Sequence, residues 1–346
     1  MENLKEELNK CLDRNVPFVF YRKPNTEVVK ALIQNDASIN FTTGLADSGF
    51  VFAPFDDREK SYLIRKDNSV SLSFSCKRVQ NKSIGMKMES SKDVKREIHI
   101  DLVQKAIDLI NNSDTQKIVL SRKEIIHNKN INIFDVFKKL LNYYQQTFVY
   151  VWFHPMTGLW MGATPETLLE VKDNKFKTMA LAATQSYKGT TDVIWNTKER
   201  QEQHFVTDYV QLKLKDLNLE ISKPFTIKAG SLLHICSEIE GELSSDEELY
   251  RLVNTLHPTP AVCGIPKEKA KQFILKNENY NREFYTGFLG EIGLGSITNL
   301  YVNLRCMKVN DTSINIYVGG GITKDSIAED EWEETCIKSE VIKRVL

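Results

Sequence analysis

Hydrophobic and polar residues alternate along much of this chain with the period of two that is typical of strands. Two apolar segments that flank His154–Gly158 predict a hairpin, because the turn between them contains proline and glycine. The same pattern predicts strands over Phe18–Tyr21, Val70–Ser75, Lys117–Arg122, Thr147–Phe153, Leu159–Gly162, 166–182, 230–243, 283–293, 298–309 and 312–319.

Between these strands, apolar residues recur with the spacing of a helix. After Asn132, a plausible N-cap, the apolar residues fall on one helical face: Ile133, Phe137, Leu140, Leu141 and Tyr144. Helices are predicted over about 93–112, 132–146, 197–217, 245–255, 266–278 and 328–345. Strands in hairpin-like succession, with helices in blocks, favour an α+β fold with a large antiparallel sheet over a parallel βαβ fold.

Composition narrows the class of protein. The 346 residues are 41% apolar and 27% charged, as in folded globular proteins. Lys+Arg and Asp+Glu are both 46, which argues against non-specific binding of nucleic acid. No apolar run approaches the roughly 18 residues of a membrane span, and the charged N-terminus lacks a signal core. We therefore expect a cytoplasmic protein that enters no membrane.

No repeat or linker divides the sequence, so we expect one domain over residues 1–346. Residues 1–95 contain short strands and little recognisable chemistry, whereas residues 100–346 contain the motifs described below. The six cysteines have no CxxC spacing, which argues against a zinc ribbon or a disulfide framework.

Two predicted helices begin with carboxylates on the face that later becomes apolar. Asn196 and Glu199 have capping-box spacing, and this face reads Glu199, Glu202, Val206, Tyr209 and Val210. The last helix repeats the pattern as Glu331, Glu334, Lys338, Val341, Ile342 and Val345.

These acidic helix starts have two explanations. The helix dipole favours acidic first turns in ordinary helices. Carboxylates that face inward, however, are costly unless a cation or strong donors compensate them. Mg²⁺, which prefers oxygen ligands, is therefore the alternative explanation, and the pattern alone leaves both open.

Other charged residues are ambiguous when taken singly. Arg305 lies near the end of one predicted strand, and the next strand ends in Gly319–Gly321. An arginine beside closely approaching backbone suits a carboxylate ligand, but a surface arginine at a tight strand exit explains it equally. Lys117 and Glu166 are each explained alone as solvated charges.

A set of ordered motifs over residues 100–346 resembles the chorismate-utilising enzymes, which include isochorismate, anthranilate, aminodeoxychorismate and salicylate synthases. The segment that begins at Lys117 and the segment His257–Gly264 favour the isochorismate synthase branch, of the menaquinone or siderophore type. The motifs are KIVLSR from Lys117, GATPETLL from Gly162, KERQE from Lys198, HPTPAVCG from His257, REFYTG from Arg282, LRC from Leu304, VGGGI from Val318 and EWEETCIK from Glu331.

The resemblance implies one α+β chorismate-binding domain, with a large layered antiparallel sheet flanked by helices and the site in a deep cleft. It also implies a reaction, the conversion of chorismate to isochorismate. Lys117 would activate water for attack at C2, and Glu166 would protonate the departing C4 hydroxyl. For these roles Lys117 must lose its proton and Glu166 must keep its own, and burial disfavours the charged form of each.

The resemblance further implies the binding residues. Glu202 and Glu334 would hold Mg²⁺, with Glu199 and Glu331 nearby, and the metal would bind the ring carboxylate. Arg305 and the backbone of Gly319 would bind the enolpyruvyl carboxylate. The remaining substrate contacts would come from Ala183, Thr184 and Lys338.

Three other functions stay open. Salicylate synthase adds a pyruvate-lyase step at a similar site. Anthranilate or aminodeoxychorismate synthase needs ammonia, usually from a glutaminase partner, but no PIAGT- or PIKGT-type segment is present. A catalytically inactive binding protein is disfavoured by the Lys117 and Glu166 pair. We expect chorismate as the substrate and no glutaminase subunit.

Overall fold

The computed structural model describes residues 1–42, 44–45, 47–76, 94–127, 131–229, 232–294 and 297–346. The side chain of Thr184, the first residue of the helix predicted over 93–112 and the first two residues of the strand predicted over 230–243 lie outside the described part.

The described residues form seven helices and nineteen strands, here numbered in chain order. The helices are α1 (Glu2–Arg14), α2 (Val94–Asn111), α3 (Ile133–Tyr143), α4 (Thr197–Lys213), α5 (Asp246–Leu256), α6 (Lys267–Asn277) and α7 (Ala328–Lys343). The strands are β1 (Phe18–Arg22), β2 (Val28–Gln34), β3 (Phe41–Thr42), β4 (Gly49–Ala53), β5 (Ser61–Arg65), β6 (Ser69–Ser75), β7 (Lys117–His127), β8 (Phe148–His154), β9 (Gly158–Thr164), β10 (Thr167–Lys172), β11 (Lys175–Ser186), β12 (Glu220–Ile221), β13 (Phe225–Ala229), β14 (Leu232–Glu242), β15 (Gly264–Ile265), β16 (Phe288–Ile292), β17 (Ile297–Val302), β18 (Cys306–Val309) and β19 (Ser313–Ile322).

The strands form two antiparallel sheets. In the described residues, one sheet has nine strands in the order β15-β7-β19-β18-β9-β8-β1-β2-β6. The other has ten strands, with β12-β14-β11-β10-β17-β16-β4-β5-β3 in one path and β13 paired to β14. The N-terminal strands enter both sheets, since β1, β2 and β6 belong to the first and β3, β4 and β5 to the second. The described strands of the N-terminal part, up to Ser75, therefore belong to the same layers as the rest.

Alternation along the strands explains the layering. In β8, Phe148, Tyr150 and Trp152 face an aromatic core shared by both sheets, whereas Val149 and Val151 face the opposite side. Rings from the two sheets meet in this core, for example Phe148 against Tyr301 with centroids 4.1 Å apart. A strand with both faces buried reads as a continuous apolar run, which is what the sequence shows here.

Helices cover the two outer faces. α1, α3 and the end of α7 pack on the outer face of the nine-stranded sheet. α4 and α5 pack on the outer face of the ten-stranded sheet. The prediction of an α+β fold with a layered antiparallel sheet flanked by helices is confirmed. Among the described residues, no helix is both long enough and apolar enough to span a membrane.

Two predicted strands are wrong because each contains a hidden turn. The strand predicted over 166–182 is two strands, β10 and β11, joined at Asp173 and Asn174, which both have positive φ. Aspartate and asparagine tolerate this conformation better than other side chains, so the turn needs no glycine. The strand predicted over 298–309 splits into β17 and β18, which belong to different sheets. Arg305, with φ 47°, lies at this crossing.

Other boundaries also differ from the prediction. The strand predicted over 283–293 is confined to β16, because residues 283–286 form a turn. β13 was not predicted. It pairs with β14, which also pairs with β11, so β14 has a partner on each side. β19 extends to Ile322, through all three glycines of Gly319–Gly321. These glycines are thus part of the sheet and not an exit from it.

Candidate active site

A cavity of about 230 Å³ lies where the first turns of α4 and α7 meet the glycine-rich end of β19. Lys117 lies beside it, since its Nζ is 2.6 Å from Oε1 of the lining residue Glu202. The predicted site residues that line it are Glu166, Ala183, Glu199, Glu202, Arg305, Gly319, Glu331, Glu334 and Lys338. The structure thus gathers residues that are up to about two hundred positions apart in sequence.

Glycines at the end of β19 make room for the charged side chains. A Cβ atom on Gly321 would lie 2.9 Å from Glu202 Oε1 and 2.9 Å from Lys117 Cε. A Cβ atom on Gly320 would lie 3.2 Å from Glu331 Oε2. The side chains of two helices and of β7 therefore occupy the space that larger residues on β19 would fill, and this is the physical reason for consecutive glycines in a buried strand.

Each of three carboxylates at the cavity is paired with a lysine. Glu202 accepts from Lys117, and Glu334 Oε1 lies 2.6 Å from Lys338 Nζ on the same helix. Glu331 of α7 lies 3.2 Å from Lys198 Nζ of α4, so this pair joins the two acidic helices. Both predicted acidic faces therefore point into one cavity, where ammonium groups compensate them.

Burial and charge act on these carboxylates in opposite directions. Burial alone would raise the pKa of Glu202, but the Lys117 ammonium outweighs it and the pKa is lowered. The pKa of Glu331 is raised, first by burial and then by the neighbouring Glu334 carboxylate, despite Lys198. Glu331 is only 4% exposed, so it would gain from further positive charge.

Glu199 has a different position from the other three. Its carboxylate accepts a 2.7 Å hydrogen bond from the Asn196 backbone, while the Asn196 side chain accepts from Glu199 N at 2.9 Å. This is the capping box that the sequence predicted. Gln185 also donates to both Glu199 oxygens at 3.1 Å. The residue lines the cavity, but its carboxylate is engaged in capping the helix.

Glu166 is the candidate acid. It lies between β9 and β10, as predicted, and is 3% exposed. Burial raises the pKa of Glu166 to about 7, although Lys117, Thr259, Arg305 and Lys338 act to lower it. A carboxyl group with this pKa keeps its proton up to neutral pH, which a solvated glutamate does not do.

Arg305 and Lys338 bring positive charge to other parts of the cavity wall. Burial lowers the pKa of Arg305 to about 10, so the guanidinium stays charged at neutral pH. Lys338 Nζ donates to the Gly319 carbonyl at 2.9 Å and thereby links α7 to β19. A Cβ atom on Gly319 would lie 3.1 Å from the Tyr285 hydroxyl, which also faces the cavity.

Sequence reasoning missed several cavity residues. Lys198 stands between the cap Asn196 and Glu199, where a lysine has no distinctive signal. Tyr285 lies inside the REFYTG motif but was assigned no role. His234 is one histidine within an apolar strand, a position that usually belongs to an ordinary core residue. Only the folded chain shows that these side chains share one cavity.

The donor set fits a hard divalent cation in its chemistry. Glu202, Glu331 and Glu334 supply carboxylate oxygens, the ligands that Mg²⁺ prefers, and the raised pKa of Glu331 shows incomplete compensation. In the arrangement seen here, no three acidic, histidine or cysteine side chains among the described residues are close enough to form a metal site. A cation would therefore have to replace lysine ammonium groups.

The layered α+β fold brings a buried carboxyl group, a lysine and an arginine together around one cavity. The profile of the family described as chorismate binding enzyme matches residues 50–346, and the chain belongs to this family.

Individual relatives agree with this membership. The chain is 31% identical to the isochorismate synthase DhbC of Bacillus subtilis over 198 residues, which are 54% of this chain and 50% of that protein. It is 28% identical to anthranilate synthase component 1 of Aquifex aeolicus over 264 residues, 71% of this chain and 52% of that protein. The crystal structure of DhbC from Bacillus anthracis superposes with a TM-score of 0.80 at 23% identity, over 97% of this chain and 98% of that one. The sequence matches span about half the length of the curated relatives.

Proposed function

We propose that this protein is an isochorismate synthase, which isomerises chorismate to isochorismate with Mg²⁺. Water adds at C2 while the C4 hydroxyl leaves as water, so the composition of the ring compound does not change. The observation that carries the proposal is the buried Glu166, whose pKa is raised to about 7 in a cavity that also contains lysine and arginine. The similarity to the Bacillus subtilis isochorismate synthase supports the same reaction.

Glu166 supplies the proton for the leaving group. A hydroxide ion is a poor leaving group, so the C4 oxygen must be protonated as its bond to carbon breaks. A carboxyl group with a pKa of about 7 is largely protonated below neutral pH and returns its proton readily. The positive charges of Lys117, Arg305 and Lys338 stabilise the carboxylate that remains.

Lys117 accepts the proton of the attacking water. Its side chain is fully buried, and its Nζ donates to Glu202 at 2.6 Å. A base must offer a free electron pair, so Lys117 has to lose a proton and direct its electron pair at the water before it can act. The proton that Lys117 takes from water balances the proton that Glu166 delivers to the leaving hydroxyl.

The charged residues of the cavity select a dianion. Chorismate has two carboxylates, and Arg305 offers the planar fork that binds a carboxylate through two hydrogen bonds. Glu202 and Glu334 would hold Mg²⁺, with Glu331 and Glu199 close by. When bound, Mg²⁺ supplies positive charge for the ring carboxylate. Lys338 keeps α7 against β19 through the Gly319 carbonyl.

A product assay tests the proposal. The protein is incubated with chorismate and Mg²⁺, with and without ammonium, and the products are separated by chromatography. We expect isochorismate alone, at equal rates in both buffers and without a glutaminase subunit. Formation of anthranilate or aminodeoxychorismate only when ammonium is present, or of salicylate and pyruvate as the main products, would overturn the assignment. No turnover would indicate a binding protein.

Anthranilate synthase is the second candidate, because the Aquifex aeolicus component 1 is 28% identical over 71% of this chain. That reaction needs ammonia as the nucleophile in place of water. The buried Lys117 favours water, since water is a weak nucleophile that needs a base, whereas ammonia can attack without one. The ammonium arm of the assay separates the two.

A further inference from the structure

His234 joins two walls of the cavity that the sequence does not connect. Its Nδ1 lies 2.8 Å from the Ala183 carbonyl oxygen, and its Nε2 lies 2.9 Å from Arg305 Nη2. The ring is 7% exposed and lines the cavity. One imidazole thus contacts both residues that are expected to bind substrate on this side.

The strand register places His234 opposite a bulge. β11 and β14 are paired from Lys175 to Ala182 and again from Gln185, so Ala183 and Thr184 face the single residue His234. Ala183 has φ 61°, a left-handed conformation that an alanine adopts at a cost. A bulge interrupts the ladder of backbone hydrogen bonds, and the imidazole supplies a partner for the Ala183 carbonyl.

The hydrogen-bond partners fix the protonation of the ring. Burial and the adjacent Arg305 lower the pKa of His234 to about 3, so the imidazole is neutral at physiological pH. A guanidinium can only donate, and a carbonyl can only accept. Nε2 must therefore accept from Arg305, and Nδ1 must carry the proton and donate to Ala183. An imidazolium would instead present a second donor to the guanidinium.

Arg305 lies where the orientation of its side chain matters for the cavity. It stands at the crossing from β17 to β18, with φ 47°, and its carbonyl oxygen accepts from Ala163 N at 3.1 Å. The backbone is thus fixed, but a long side chain has many rotamers. The hydrogen bond from Nη2 to His234 restricts the orientation of the guanidinium beside the cavity.

We propose that His234 is a positioning residue, which fixes the Arg305 guanidinium to the Ala183 bulge so that its planar fork is ready for a substrate carboxylate. This inference rests on the proposed function, since the carboxylate is that of chorismate. Preorganisation of this kind lowers the entropy lost on binding, so it affects affinity more than the chemical step.

Three substitutions separate positioning from a merely structural role. In His234→Gln, the amide can reach towards Arg305 and its oxygen can accept there. In His234→Asn, the shorter amide can serve the Ala183 carbonyl but not Arg305. His234→Phe keeps a ring without either hydrogen bond. His127→Gln, at an exposed histidine near the end of β7, is the matched control.

We expect KM for chorismate to rise about tenfold in the Asn and Phe variants, the effect of losing one charge-assisted hydrogen bond. In the same two variants, kcat should change by less than KM. His234→Gln should keep KM within about threefold of the wild type. The control His127→Gln should keep the wild-type KM and kcat. If Gln, Asn and Phe alter KM and kcat equally, or if none alters KM while chorismate is still converted, the positioning role is wrong.

A second measurement does not depend on turnover. In protein labelled with ¹⁵N at histidine and arginine, His234 should show a protonated Nδ1 and an unprotonated Nε2 between pH 5 and 9. The two Nη signals of Arg305 should be resolved in the wild type and in His234→Gln, and averaged by rotation in His234→Phe. Averaged signals in the wild type would overturn the inference, whereas absence of chorismate turnover with resolved signals would overturn only the proposed function.

Discussion

Lys117 Nζ donates a 2.6 Å hydrogen bond to Glu202 Oε1, which joins the proposed base to a proposed ligand of Mg²⁺. The two roles are therefore linked. As an ammonium group, Lys117 has no electron pair with which to accept a proton from water, and Glu202 shares its charge with that ammonium group. Binding of a cation at Glu202 and release of Lys117 should favour each other.

Lys117→Ala tests this linkage. We expect turnover to fall at least about 10²-fold, because water loses its base. Mg²⁺ should bind at least as tightly as in the wild type, because Glu202 no longer shares its charge with an ammonium group. Turnover is measured with chorismate and Mg²⁺ affinity by calorimetry, with the exposed Lys175→Ala as the control. Near wild-type turnover in Lys117→Ala would remove this lysine from the mechanism.

Glu202→Gln and Glu334→Gln should each weaken Mg²⁺ binding, since a neutral amide replaces a charged oxygen ligand. Chelation with EDTA should abolish turnover, and added Mg²⁺ should restore it. Glu333→Gln is a matched control, because Glu333 is an exposed neighbour of Glu334 on the same helix. Full activity of the wild type in metal-free buffer would contradict the Mg²⁺ proposal.

Glu166→Gln keeps the shape of the acid but removes its proton, so turnover should fall at least about 10²-fold. The exposed Glu170→Gln should be unaffected. The acid acts only when protonated, and burial raises the pKa of Glu166 to about 7. Wild-type kcat/KM should therefore decline as the pH rises through about 7, and an unchanged rate up to pH 9 would argue against Glu166 as the acid.

The same carboxyl group should affect stability. Burial raises the pKa of Glu166 from 4.5 to about 7 in the folded protein, so the folded state binds this proton more tightly than the unfolded state does. Wild-type stability from this group is complete below pH 4.5 and is lost as the pH rises to about 7. Relative to Glu166→Gln, the free energy of unfolding should fall by up to about 3 kcal/mol across that window, measured by urea denaturation without Mg²⁺. A pH-independent difference would indicate a solvated carboxylate.

Arg305→Lys should raise KM for chorismate by about tenfold although the charge is kept. A guanidinium binds a carboxylate through two parallel hydrogen bonds, whereas an ammonium acts as a point charge. Steady-state kinetics with chorismate provide the measurement. A Lys variant with the wild-type KM and kcat would show that Arg305 is not the carboxylate ligand.

Gly321→Ala should fold but lose most of its activity. Its Cβ atom would lie 2.9 Å from both Glu202 Oε1 and Lys117 Cε, which belong to the far ends of long side chains and can shift without moving the backbone. The fold is then kept while the Lys117–Glu202 pair is displaced. Gly44→Ala is the control, since a Cβ atom on Gly44 meets nothing within 4 Å. Circular dichroism verifies folding, and wild-type turnover in Gly321→Ala would contradict this account of the glycines.

The sequence by itself determined the class of fold and most of the chemistry. Alternation along β8 and helical spacing along α3 reflect which faces are buried, and this information is local. The capping box of Asn196 and Glu199 was predicted for the same reason, because two residues within one helix turn suffice to form it. The order of the motifs then indicated membership of the chorismate-utilising enzymes, and the profile match over residues 50–346 confirms this family.

Tertiary structure decided what lies next to what. No local pattern could pair Lys117 with Glu202, or Lys198 with Glu331, because these contacts form only when separate strands and helices pack. The split at Arg305 between the two sheets was missed because the apolar pattern is the same on both sides of the crossing. His234 had no signal of its own in the sequence, since a buried histidine acquires its protonation and its partners from the residues that the fold brings to its two ring nitrogens.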